Sequence, residues 1–109
     1  MLNVSKYGEI GLTRGDTARL TVTITNEAQE AYSIQEGDTL TLSVKKAVTD
    51  KEYALQKTIT GSNTFYLEPQ DTAGLDFGKY KYDVQLTTVY GDVYTVIAPT
   101  VFEILQEVT

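Results

Sequence analysis

The chain has 109 residues with no cysteine, histidine or tryptophan, and 15 acidic side chains against nine basic ones give it a net charge of −6. That length fits one domain, which buries enough surface to fold without staples. The missing residue types remove disulfides, thiolate metal sites and any Ser-His-Asp or Cys-His nucleophile, and an acidic surface repels nucleic-acid phosphate and anionic lipid.

Period-two alternation dominates, and helical periodicity is nearly absent. Met1 to Gly8 carries little pattern and is expected to be extended or disordered, ahead of one domain over 9–109. Met1 to Val4 is too short and uncharged for a signal peptide, and no apolar run reaches membrane-spanning length. Glu9 to Thr13 is a weak strand. Thr17 to Thr25 is a clear one, with Leu20, Val22 and Ile24 on one face and Arg19, Thr21 and Thr23 on the other. Between them, Arg14-Gly15-Asp16 spells an integrin-binding tripeptide. It reads as a tight turn in which Gly15 supplies positive φ and Asp16 caps local amides.

Asn26 to Ser33 is a polar loop, and Gln35 to Asp38 introduces the next strand. Thr39 to Lys46 places Leu40, Leu42 and Val44 inward. Leu55 to Thr60 and Thr64 to Leu67 are weaker strands around a Gly61-Ser62-Asn63 turn. Pro69 to Leu75 is a helical turn that Asp71 or Thr72 can cap and Gly74 or Gly78 can end. Lys79 to Thr87 turns Tyr80, Tyr82, Val84 and Leu86 to one face, and Gly91-Asp92 marks a hairpin. Val93 to Ala98 and Val101 to Leu105 read as two half-strands. Pro99 imposes a bulge or a change of sheet between them.

About seven short strands and one helical turn indicate an all-β fold, an immunoglobulin-like antiparallel β-sandwich. Its expected core is Leu20, Val22, Ile24, Leu40, Leu42, Val44, Tyr80, Tyr82, Val84 and Leu86. Tyr94 is expected to fill the core with Tyr80 and Tyr82, while Tyr32, Tyr53 and Tyr90 sit near rims. The carboxylates Glu27, Glu30, Glu36 and Asp38, and Glu68, Asp71 and Asp76, lie in loops without calcium-binding spacing and read as solvated. No catalytic, metal or cofactor residue is assigned. Apolar end segments, Tyr7 to Thr13 and Val101 to Leu105, read as sheet edges open to a partner, with Pro99 and Lys45-Lys46 guarding other edges.

Two resemblances add to this. Glu68 to Ala73 resembles the stretch before the sixth strand of antibody variable domains, where a tyrosine hydroxyl satisfies a backbone group at the corner; Tyr80 and Tyr82 are the candidates here. Leu12-Thr13-Arg14-Gly15-Asp16-Thr17 with the Leu-x-Val-x-Ile strand, Leu75 to Val84 and the hairpin at Gly91-Asp92 resemble the N-terminal domain family of phage upper baseplate proteins. That resemblance implies a small β-sandwich that anchors a receptor-binding assembly to a phage or prophage tail. It would be a virion component made in the bacterial cytoplasm, with other tail or baseplate proteins or copies of itself as partners, and with neither nucleic acid nor membrane. The alternative is a carbohydrate-binding or cell-surface adhesion module of the same architecture.

Overall fold

The computed structural model describes residues 2–4, 10–24 and 32–106, with only the backbone of 2–4. The elements are β1 (Leu2–Val4), β2 (Ile10–Thr13), β3 (Ala18–Thr21), β4 (Thr39–Lys45), β5 (Leu55–Thr60), β6 (Thr64–Leu67), α1 (Pro69–Ala73), β7 (Gly78–Thr87) and β8 (Val93–Leu105). The fold is all-β apart from one short helix.

Six strands form a larger sheet in the order β1-β2-β8-β7-β4-β5, and β3 pairs with β6 in a smaller one. Alternation decides which faces meet. Leu40, Leu42 and Val44 of β4 stand opposite Leu86, Val84 and Tyr82 of β7, and all six are buried. Ala18 and Leu20 of β3, with Phe65 and Leu67 of β6, belong to the same core cluster, which Ile10, Leu12, Phe102 and Ile104 complete. Every residue of the core list read from the sequence is buried. The regular ladder of β3 stops at Thr21, yet Val22 and Ile24 keep its alternation and its burial. The Val22 amide donates to Asn63 O (2.8 Å) and the Tyr32 amide to Ile24 O (2.8 Å), so the chain stays extended beyond the strand.

Several expectations change. The larger sheet is mixed, not antiparallel, because β2 runs parallel to β8, with Ile10 beside Phe102 and Thr13 beside Leu105. Leu2–Val4, within the unpatterned N-terminus, is extended and pairs with β2. Residues 10–13 and 102–105 are therefore not edges, since both segments have a strand on each side. Tyr7 to Glu9 lie outside the described residues, as do Thr25 to Ala31 with Glu27 and Glu30. Lys45 guards no edge either, because β4 lies inside the sheet.

The two half-strands around Pro99 are one strand, β8, in one sheet. Two register shifts absorb the irregularity: Tyr82 pairs with Thr100, Val84 with Ile97 and Gln85 with Thr95, so β8 carries one extra residue in each interval. Each bulge reverses the alternation of the residues after it, and the pair restores it, so Phe102 and Ile104 still turn inward. Pro99 lies in the part of β8 that β2 does not reach, where its missing N–H costs no ladder bond on that side.

Candidate functional site

The polar residue that organises one end of the fold is Asp38, which is buried. Its Oδ2 accepts from the Tyr32 hydroxyl (2.5 Å) and the Gln35 amide (2.9 Å), and its Oδ1 accepts from the Val89 amide (3.2 Å). Its own carbonyl accepts from the Gly61 amide (2.9 Å). The carboxylate thus ties the 32–38 segment to the β7–β8 hairpin, and the backbone carbonyl of the same residue ties it to the β5–β6 turn. The Tyr32 hydroxyl and the two amides hold its pKa below the ordinary carboxylate value, against the opposing effect of burial. The sequence reading placed Asp38 among solvated loop acids; the structure overturns that. Gly37, at φ +92°, fits beneath the same hairpin, since a Cβ there would meet Val89 Cγ1 at 2.6 Å.

The hairpin held in this way presents an apolar surface. Tyr90 is 88% exposed, Val93 58%, Tyr94 55% and Val89 49%. Tyr94 was expected in the core and is a second correction. It pairs with Leu86 and so shares the inward face, yet it stays exposed while Leu86 is buried. From Val84 to Phe102 the chain carries a single charged residue, Asp92. Tyr53 is exposed and Tyr32 half-buried, as their rim placement implied.

At the opposite end of β7, the Arg-Gly-Asp segment is a docked turn. The Asp16 amide donates to Thr13 O (3.1 Å), and Gly15 has φ +85°. The Gly15 amide donates to Oγ1 of buried Thr72 (2.8 Å), and the Arg14 guanidinium lies 4.1 Å from the Phe77 ring centroid. All three residues are half-buried, which is poor presentation for an adhesion tripeptide. Beside it, Asp71 closes the first turn of α1 by accepting from the Glu68 amide (2.8 Å) and pairs with Lys57 of β5 (2.7 Å). The N-cap is therefore Glu68, not Asp71 or Thr72, and Gly74 is the C-cap.

Of the two tyrosine candidates, Tyr80 has a hydroxyl that donates to a backbone group, Asp76 O four residues upstream (2.9 Å). The signal that locates it is Asp76-x-Gly78-x-Tyr80, whereas the sequence reading fixed on the Asp-x-Ala at 71–73.

The outer face of the larger sheet bears a shallow groove of about 190 Å³ between β4, β7 and the loop after β4. Ser43, Asp83 and Gln85 line it, with Lys45, Lys81 and Tyr53. Among the described residues, no group of three or more Asp or Glu side chains lies close enough to hold a metal ion, and no helix is long and apolar enough to cross a membrane. No family model matches the chain, and neither the curated proteins nor the solved structures contain a match to it.

Proposed function

We propose that the domain is a non-catalytic structural and protein-interaction module of a phage or prophage tail or baseplate, built as an immunoglobulin-like sandwich. It would be a virion component made in the bacterial cytoplasm, joined to other tail proteins or to copies of itself. The observation that carries the interaction reading is the hairpin end: four exposed apolar side chains on a hairpin hydrogen-bonded to Asp38, nearly free of charge, in a chain of net charge −6. Tyrosines held on rigid backbone supply large contact area at small entropic cost, and interface centres favour aromatics over charges. The phage assignment is supported by the motif resemblance at Leu12–Thr17 and Leu75–Val84.

The immunoglobulin-like assignment is supported by strand order. With β3 and β6 as the second and fifth strands of that fold, and β4, β7 and β8 as its third, sixth and seventh, the partition between two sheets is the same. β5 then extends the second sheet as in variable-type domains. The Tyr80 to Asp76 bond falls where such folds place their corner tyrosine. Tyr82, two residues on, occupies the cysteine position and packs edge-on against Phe102 at 5.9 Å.

Bulges and Pro99 in the open stretch of β8 discourage strand addition there, so the contact would be made through side chains. The test is whether the protein is found in purified virions or induced prophage particles, in contact with named tail proteins. Absence from particles would remove the phage reading. A carbohydrate-binding or adhesion module is the second reading, favoured by one feature: the groove that sets Tyr53 beside outward polar side chains.

A further inference from the structure

The two bulges of β8 fall opposite Asp83, Val84 and Gln85 of β7, and two of these three line the groove. Bulges recur beside sites because they re-aim side chains and stop pairing. Across the β4–β7 ladder, Ser43 stands opposite Asp83 and Lys45 opposite Lys81, so hydroxyl, carboxylate and two ammonium groups share one small outward area. Asp83 is half-buried. Burial raises its carboxyl above the ordinary value while Lys45 pulls it back. Tyr53 is exposed, and Lys45 Nζ lies over one face of its ring, 4.9 Å from the centroid.

The charged groups of the groove are Lys45, Lys81 and Asp83, which sum to +1 on a chain of −6. That local excess of positive charge favours an anionic ligand, and the carboxylate, hydroxyl and amide beside it favour one that also carries hydroxyls. We infer that the groove binds one ring of an acidic sugar of the uronic acid type, its carboxylate at Lys45 and Lys81, its hydroxyls on Asp83, Ser43 and Gln85, and its apolar face on Tyr53. A volume of about 190 Å³ limits the site to a single ring. This rests on the carbohydrate reading, names its sugar class, and is independent of the hairpin surface.

The experiment is an amide-detected NMR titration of the intact chain with methyl glucuronoside and methyl glucoside, which differ by the carboxylate, and with acetate. The uronoside should shift amides of β4 and β7 around Ser43 and Asp83, and the glucoside should bind about tenfold more weakly, the worth of one charge-assisted contact. Lys81→Ala should remove that preference, and Tyr53→Ala should weaken both sugars. Tyr90→Ser with Tyr94→Ser, on the hairpin, should leave uronoside binding unchanged. Equal binding of the two glycosides would overturn the acidic-sugar assignment while sparing the carbohydrate reading. Acetate matching the uronoside would reduce the groove to an anion spot, and no shift at tens of millimolar would remove both.

Discussion

The Tyr80 hydroxyl donates to the carbonyl oxygen of Asp76 at 2.9 Å, locking the start of β7 to the segment that leaves α1. The ring is buried, and Lys46 Nζ covers it at 4.5 Å. Tyr80→Phe keeps the packing and strips the donor from that carbonyl. It should cost about 1 kcal/mol in chemical denaturation, with an unchanged slope.

Asp38 makes stability depend on acid. Its folded pKa lies below the ordinary value of 3.8, so its contribution is whole above that value and is lost as pH falls through the lowered one. Asp38→Asn keeps the shape but turns one acceptor oxygen into a donor facing N–H or O–H groups. The variant should melt lower than wild type at neutral pH, and the gap should close as the pH falls through the lowered value, where wild type loses its carboxylate too. Parallel melting curves at all pH values would contradict this role.

Tyr32, Tyr80 and Tyr82 all have phenols held above the ordinary value, and Tyr82 carries the large shift on the alkaline limb. Burial pushes its phenol from 10.0 up to about 12. Stability is therefore whole below pH 10 and falls as the pH rises toward 12, because the unfolded chain releases that proton first. Ultraviolet titration should show a late-titrating phenol that Tyr82→Phe removes.

Leu42 is fully buried at the centre of β4, flanked by Val84 and Lys57 in register. Leu42→Ala should cost about 3 kcal/mol, from lost transfer energy plus the cavity left behind.

Gly15 needs its positive φ. Gly15→Val should cost about 1–3 kcal/mol of backbone strain, and it would disturb the Gly15 amide bond to Thr72 Oγ1. Asp16→Glu keeps the turn's backbone and should change stability little. Integrin-dependent adhesion to the wild type that this variant abolished would contradict the docked-turn account.

Strands with one buried face could be read from the sequence because alternation reports burial directly: Leu20-x-Val22-x-Ile24 and Tyr80-x-Tyr82-x-Val84 needed no other information. Pairing partners were less accessible. Nothing local in Ile10–Thr13 says that it runs parallel to Phe102–Leu105, since that contact joins opposite ends of the chain. β8 hid its unity because two bulges break the period that defines a strand. Tyr94 was misplaced for a related reason: alternation gives the face but not whether another layer covers it. Asp38 was missed because its partners are amides and a phenol gathered from three segments. The groove was likewise out of reach, since it depends on the cross-strand pairing of Ser43 with Asp83 and Lys45 with Lys81.

The claim that the hairpin end is the interaction surface is tested most directly by affinity co-purification from particle-producing cells. Wild type is compared with the Tyr90→Ser, Tyr94→Ser double variant, with melting temperature as a control for folding. Both side chains are more than half exposed, so the variant should melt like wild type. The account predicts that wild type retains identified tail or baseplate proteins and the variant loses them. Equal retention by both, or none by either, would contradict it.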